Sequence, residues 1–399
     1  MFKKSLIAIA ALGAFAGSAM AADITISGRI DTGLNFHDYE YKNSVNGVTE
    51  DGNTFGMKTG QYSSSRITIK GSEDLGNGMK AGFILENGFD SDTGDLAQDG
   101  KIFGREAIVY LEGDFGHFSM GREGALSSGV GSYNVVYGFS PWGTGWGDYA
   151  NPKGQFNLGD RDRFDNTITY RTPDFAGMKV YAQYSFEAAG SEDDQSTNNK
   201  RYAALGATYD LGAFSTGLVV DTIMNGRDDA SGNTEDSLGI SWGASYDFGV
   251  TKPMILVQYG KNENKLGGFT FADYDFVDAD ENVTDNEGMK GFAVTLGAVT
   301  PLLGGNLYTS VSYMDGEIEG DGATVISTNP FANNSTVNGD IERWGVAVGY
   351  DYPLSKRTKL YGFAAYNEGE WKQNWNNGGT HVKYEEQDIE AGVGLIHYF

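Results

Sequence analysis

The chain has 399 residues, a formal net charge of −25, 58 glycines, 13% aromatic residues and no cysteine. The lack of cysteine excludes disulfides, cysteine metal ligands and a cysteine nucleophile, and the acidic balance argues against nucleic acid as a partner because phosphates would be repelled. Only seven residues are proline, so most backbone N–H groups are free to join strand ladders. One compositional pattern runs from residue 23 to the end, and we expect one large domain.

The chain begins with a pattern typical of an export signal. Lys3 and Lys4 precede an apolar run, and Ala19-Met20-Ala21 supplies the small residues that a signal peptidase needs. The apolar run is shorter than the roughly 20 residues that a membrane-spanning helix requires. We therefore predict a cleaved signal peptide over residues 1–21 and a mature domain over residues 22–399.

Apolar residues then alternate with small or polar residues in one segment after another. Near residue 240, for example, Leu238, Trp242 and Phe248 share one side, and mainly glycine, serine and aspartate occupy the other. A period of two indicates β-strands with two unlike faces. We predict sixteen strands, near residues 23–37, 62–74, 78–90, 102–113, 116–123, 163–172, 177–188, 200–210, 213–224, 237–248, 252–262, 289–300, 305–318, 340–352, 357–369 and 386–399.

The connections between these segments alternate in length. Short turns such as 74–78 and 113–117 alternate with long polar loops such as 190–199, 273–287 and 329–340. This alternation predicts antiparallel strands with one plain end and one elaborated end. A water-soluble sandwich would have a strongly polar second face. Here the residues of the second face are small or of mixed character, and aromatic residues lie near the strand ends on the apolar face. The pattern predicts a transmembrane β-barrel with its apolar face toward lipid, and an even strand number closes it.

Several blocks carry a resemblance to a known family. Residues 63–89, 104–123, 166–185 and 352–369 and the C-terminal VGLIHYF resemble the Gram-negative general porins, most of all those of β-proteobacteria and Neisseria. The chain departs from that pattern at Ile396 and Tyr398, where the family often has basic residues.

The resemblance implies a sixteen-stranded, homotrimeric porin of the bacterial outer membrane that is not an enzyme. It implies contact with outer-membrane lipid and lipopolysaccharide, and passage of small hydrophilic solutes and ions. It also implies that the last strand with its final residue, Phe399, is what the barrel-assembly machinery recognises. The third external loop, residues 124–160, would fold into the lumen as a constriction. Its glycines, aromatic residues and two prolines suit a loop bent sharply against a wall, and a lid over the mouth is the alternative.

Porins of this kind carry basic residues on the wall opposite the constriction loop. Arginine facing lipid at mid-depth is costly, so strand parity and position place these side chains toward the lumen: Arg29, Arg66, Lys70, Arg105 and Arg163. For each of these basic residues, the alternative is a position at the barrel rim or at the membrane interface. The candidate opposing acids on the loop are Asp148 and Asp160. The loop aromatic residues either narrow the pore or pack the loop on the wall: Tyr133, Tyr137, Phe139 and Trp142.

Opposed rows of charge would create a transverse field that selects among solutes. The basic constriction favours anions and the acidic outer loops attract cations, so we expect a general diffusion porin with a weak anion preference. The rival functions are a solute-specific porin with a saturable lumen site, a structural or adhesive barrel with a plugged lumen, and a barrel enzyme. No cofactor is expected. Residues 278–282 are similar to a calcium loop, but Val283 and Met289 stand where glycine and glutamate are required, so loosely bound Ca²⁺ is only an alternative there.

Overall fold

The computed structural model describes residues 23–44, 47–190, 199–225, 235–270, 275–277, 288–318, 324–326, 337–375 and 380–399. The predicted signal peptide, most of the long acidic loops and the calcium-like stretch 278–282 lie outside these residues. Two short helical turns occur in this part of the chain, a 3₁₀ turn over Tyr137–Phe139 and an α-helical turn over Pro152–Gln155. Among the described residues, neither helical turn has the length or apolar character to cross a bilayer.

Nearly all other regular structure in the described residues is β-strand. The strands are β1 (Asp23–Asn43), β2 (Val48–Thr59), β3 (Arg66–Gly76), β4 (Met79–Gly88), β5 (Glu106–Gly113), β6 (Gly116–Gly124), β7 (Arg163–Arg171), β8 (Met178–Ser185), β9 (Arg201–Leu211), β10 (Phe214–Met224), β11 (Leu238–Tyr246), β12 (Lys252–Glu263), β13 (Lys265–Leu266), β14 (Phe269–Thr270), β15 (Asp275–Val277), β16 (Met289–Leu302), β17 (Gly305–Ile318), β18 (Thr324–Ile326), β19 (Val337–Pro353), β20 (Thr358–Trp375) and β21 (Thr380–Tyr398). The short strands β13 and β14 pair with each other, as do β15 and β18.

Sixteen of the described strands form one closed antiparallel barrel. Each pairs with its neighbour in the order β1-β3-β4-β5-β6-β7-β8-β9-β10-β11-β12-β16-β17-β19-β20-β21. The last strand then pairs with the first, from Arg29 opposite Tyr398 to Asn43 opposite Tyr384. Gly28 and Phe399 complete this seam by exchanging two backbone hydrogen bonds of 3.0 and 3.1 Å. The predicted sixteen-stranded antiparallel barrel is confirmed.

The two faces of the wall differ as the alternation predicted. On β21, Val393 is 59% exposed on the outside, whereas Glu390 and Ile396 point inward and are 1% and 0% exposed. The outer face can meet lipid because the ladders pair the backbone groups of the wall internally. We call the end with the short connections the turn end and the other the loop end. Both termini of the barrel lie at the turn end.

The structure adds β2 and the short strands β13, β14, β15 and β18 to the predicted set, and it moves several boundaries. Residues 48–59, which were not predicted as a strand, form β2 and pair with the loop-end half of β1. The predicted strands 62–74 and 102–113 begin later, at Arg66 and Glu106. The strands β19 to β21 run further toward the loop end than predicted, because their pairing continues beyond the point where the outward residues stop being apolar.

Deleting Phe399 removes both seam hydrogen bonds to Gly28. At about 1 kcal/mol for each bond, we expect a barrel about 2 kcal/mol less stable and a lower yield of folded protein, with normal conductance in the molecules that fold. Folded yield on unheated gels, urea unfolding and bilayer conductance measure these effects. The control is Phe115→Ala, which removes a similarly exposed ring at the turn end and leaves the seam intact. Equal losses in both variants would contradict the role of the seam.

Candidate functional site

The long connection between β6 and β7, residues 125–162, lies inside the barrel. Leu126 and Tyr137 in this loop are fully buried, and the indole Nε1 of Trp142 donates to Ser310 Oγ on β17 at 2.7 Å. These contacts reach wall strands far from β6 and β7, so the loop crosses the interior. The loop packs against the inner wall, and we call it the constriction loop after its expected role.

Glycines on the inner wall make the seat for this loop. A Cβ atom added at Gly243 would lie 2.5 Å from the Phe139 ring, one at Gly297 would lie 2.5 Å from Pro141, and one at Gly349 would lie 2.9 Å from Trp142. Such distances are too short for a side chain larger than hydrogen. The small inward residues that the alternation showed therefore let the loop approach the wall backbone.

A buried charge cluster holds the end of the loop. The guanidinium of Arg161 pairs with Asp221 on β10 and with Glu263 on β12, the latter at 2.7 Å, and donates to Ser237 Oγ at 3.1 Å. All these side chains are buried. Arg161 was not among the predicted lumen residues, and the structure makes it an internal anchor of the loop. Such a buried pair is costly to break because one partner would be left as an isolated charge.

The middle of the loop is held by a third carboxylate, Glu390 on β21. Its Oε2 accepts hydrogen bonds from the backbone N–H groups of Asp148 and Tyr149, both at 2.9 Å, and its Oε1 accepts from Asn35 Nδ2 at 2.8 Å. Lys58 Nζ on β2 lies 2.7 Å from Asp148 and 3.3 Å from Glu390. The loop is thus fixed to both sides of the seam.

The predicted basic residues gather around Glu86 on β4. Its Oε1 lies 2.7 Å from Arg105 Nε and 3.3 Å from Arg66 Nη1. Arg29 donates to Ser63 Oγ at 2.8 Å and lies over the Tyr398 ring, with its guanidinium carbon 5.4 Å from the centroid. We call this group, with Lys70, Arg163 and the loop's Lys153, the basic cluster.

The remaining members join the cluster by different routes. Arg163 pairs with Asp162 at 2.6 Å and donates to the backbone oxygen of Arg105 at 3.1 Å, and Lys153 also pairs with Asp162. Lys70 is exposed, and no ion pair within 4 Å joins it to another described residue. Arg105 was placed on a strand by the sequence, but it precedes β5 by one residue.

Asp162 keeps its charge in this setting. Burial alone would raise the pKa of Asp162, but the charges of Lys153 and Arg163 outweigh burial and lower the pKa to about 2. Because the pKa is depressed, the ion pairs contribute fully above the ordinary carboxyl pKa and are lost as the pH falls through about 2. Asp162 therefore offsets part of the cluster's positive charge at neutral and mildly acidic pH.

The structure separates the predicted loop residues into two groups. The four aromatic residues are all buried and pack the loop on the wall, so they do not line open space: Tyr133, Tyr137, Phe139 and Trp142. Asp148 and Asp160 are exposed. Asp148 is paired with Lys58, whereas Asp160 has no ion pair within the described part of the chain.

Sequence reasoning missed Lys58 and Lys153. Lys58 lies on the unpredicted strand β2, and Lys153 lies in the helical turn of the constriction loop. Neither belongs to a periodic pattern that would have shown its direction. Together the cluster sets six cations (Arg29, Arg66, Lys70, Arg105, Lys153 and Arg163) beside the carboxylates Glu86, Glu106 and Asp162, of which Glu106 lies opposite Glu86 on β5. The resulting local charge is positive.

A closed barrel with an apolar outer face, a polar interior and an inward-folded loop defines a β-barrel channel. The sequence model of the Gram-negative porin family matches residues 8–371, and the chain belongs to that family. An outer membrane porin protein of Bordetella pertussis is 30% identical over 438 residues that cover 100% of both chains. The outer membrane porin protein 32 of Delftia acidovorans is 30% identical over 91% of this chain and 89% of that protein.

Among solved structures, an anion-selective porin from Comamonas acidovorans has 25% sequence identity and a TM-score of 0.61, and the match covers 95% of this chain and 100% of that chain. The protein is therefore an outer membrane porin, a channel and not an enzyme.

Replacing Gly243 with alanine should push Phe139 and the constriction loop toward the lumen. We expect a loss of about 1–3 kcal/mol in stability from overpacking and a lower single-channel conductance, measured by urea unfolding and in planar bilayers. Gly206→Ala is the matched control, since a Cβ there meets its nearest neighbours at an ordinary 3.5 Å. The seat is misassigned if Gly243→Ala behaves like the control.

Proposed function

We propose that this porin carries ions and small hydrophilic solutes by passive diffusion through the gap beside the constriction loop, with a weak preference for anions. The observation that carries the proposal is the basic cluster, whose six cations outnumber its three carboxylates. The relative described as an anion-selective porin supports it.

The preference is expected to be weak for two physical reasons. First, Glu86 and Asp162 neutralise part of the cluster at 2.6–3.3 Å. Second, the acidic loops attract cations to the mouth, although screening over about 8 Å at physiological ionic strength gives more weight to the charges nearest the narrowest point.

The proposal includes a homotrimer in the outer membrane, surrounded by lipid and lipopolysaccharide. One edge of β2 pairs with β1, and no described strand pairs with its other edge. Phe55 and Met57 on β2 extend the outward row of Phe36 and Leu34 and are 71% and 61% exposed. Lipid cannot satisfy an open strand edge, so a neighbouring copy would cover this part of the wall.

The selectivity test compares Lys70→Gln with Lys356→Gln in planar bilayers under a salt gradient. Lys70 is an exposed member of the cluster, and Lys356 lies exposed in the β19–β20 turn. We expect conductance proportional to salt concentration in all proteins. The ratio of anion to cation permeability should fall about twofold in Lys70→Gln only, because a lumen charge raises the local anion concentration.

If the permeability ratio changes equally in both variants, the basic cluster does not control the ion selectivity of the channel. Absence of conductance in folded, inserted protein would overturn the diffusion channel itself.

A further inference from the structure

Four aromatic rings form a series on the inner wall above the constriction. Tyr41, Tyr39 and His37 alternate along β1 on its lumen side, with ring centroids 5.2 and 5.6 Å apart. Tyr149 of the constriction loop continues the series, stacked on His37 at 4.6 Å. We call these four residues the aromatic ramp. It leads from the loop end of the barrel to the loop.

The ramp is held in place by the wall. His37 Nε2 lies 2.8 Å from Asp388 Oδ1, and the Tyr41 hydroxyl donates to the same oxygen at 3.4 Å. Tyr39 leans across Gly52 of β2, where an added Cβ would lie 2.7 Å from its hydroxyl oxygen. All four rings remain partly exposed. The ring faces are thus preorganised and still accessible, a combination that favours binding.

The foot of the ramp opens into a cavity of about 370 Å³. The cavity runs beside residues 54–58 of β2, and His37 and Tyr149 contribute rings to its lining. Lys58 and Asp148 contribute the exposed polar groups. The Asp148 side chain is 65% exposed and can accept further hydrogen bonds. A cavity with flat apolar faces and a few polar groups is the usual form of a small-ligand site.

The charges around the ramp decide which ring-shaped solute it suits. Asp148, Asp388 and Glu390 outnumber Lys58 and the buried Arg343, which lies near Asp388, so an aromatic anion is disfavoured. A cation attracted to these carboxylates must still pass the basic cluster to cross the channel, so a cationic solute is disfavoured for transport. A neutral sugar meets both conditions: its weakly positive C–H faces can lie on the negative faces of aromatic rings, and its hydroxyls can donate to Asp148 and accept from Lys58, the two polar side chains that remain exposed there.

We propose that the aromatic ramp and the cavity at its foot form a binding track for neutral sugars. This inference rests on the proposed channel function and names a solute class for the same lumen. Weak binding at successive positions raises the flux at low solute concentration, provided that the solute also dissociates readily from each position. The porin would then pass ions by simple diffusion and sugars by a saturable route.

The test titrates maltotriose, a short chain of pyranose rings, against the full folded protein. Binding heat in detergent and the decrease of ion current in bilayers should both saturate. Tyr39→Leu should weaken binding about fivefold because a stacking face is lost, whereas Tyr39→Phe, which keeps the ring, should bind nearly as well. Tyr110→Leu is the matched control: Tyr110 is also a lumen-side tyrosine, stacked on His117 at 4.9 Å, but it lies on β5.

Each contrary result has a distinct meaning. No saturable heat up to the solubility limit of maltotriose overturns the sugar track, even if the protein conducts ions. An equal effect of the acyclic polyol sorbitol, or binding of benzoate in place of maltotriose, overturns it as well, because the ring-face argument would be wrong. Equal weakening by Tyr39→Leu and Tyr110→Leu moves the site off the ramp. Saturable heat without any ion conductance supports the track and counts against the diffusion channel alone.

Discussion

The structure depends on one constraint: hydrocarbon offers no hydrogen-bond partner to a polypeptide backbone. A sheet that faces lipid must therefore close on itself, and β21 meets β1 along a seam that ends at Gly28 and Phe399. Closure makes every wall strand two-faced, with apolar side chains outside and polar or small ones inside. The lumen is a consequence of this closure, since sixteen tilted strands enclose more space than their own side chains fill.

The constriction loop occupies part of that space, and the wall is shaped to receive it. Inward glycines allow Phe139, Pro141 and Trp142 to contact backbone, while the loop's aromatic rings supply the apolar burial that the wall itself directs outward. Two polar anchors fix the position of the loop on the wall: Arg161 with its carboxylates, and Glu390 with the loop amides. The width of the pore is therefore set by packing against the wall as much as by the length of the loop.

The two sides of the lumen have different chemistry. The basic cluster lies on β1, β3 and the ends of neighbouring strands, and its partial neutralisation by Glu86 and Asp162 leaves a moderate positive field. The aromatic ramp lies nearer the loop end of β1, among carboxylates. A solute that passes the channel meets first flat ring faces and then a concentrated charge, so shape and charge are tested at different depths.

Much of this protein could be predicted from its sequence, because lipid exposure enforces a period of two that is visible locally. That period gave the strand number and, through parity, the inward direction of Arg29, Arg66 and Lys70. The tertiary structure alone decided which strand edge β2 would join, that Arg161 would be buried between β10 and β12, and that the loop aromatic residues would pack on glycines. These contacts join residues far apart in the chain, where no local repeat records the partner. Which of these contacts form depends on the space that remains in the lumen once the barrel has closed.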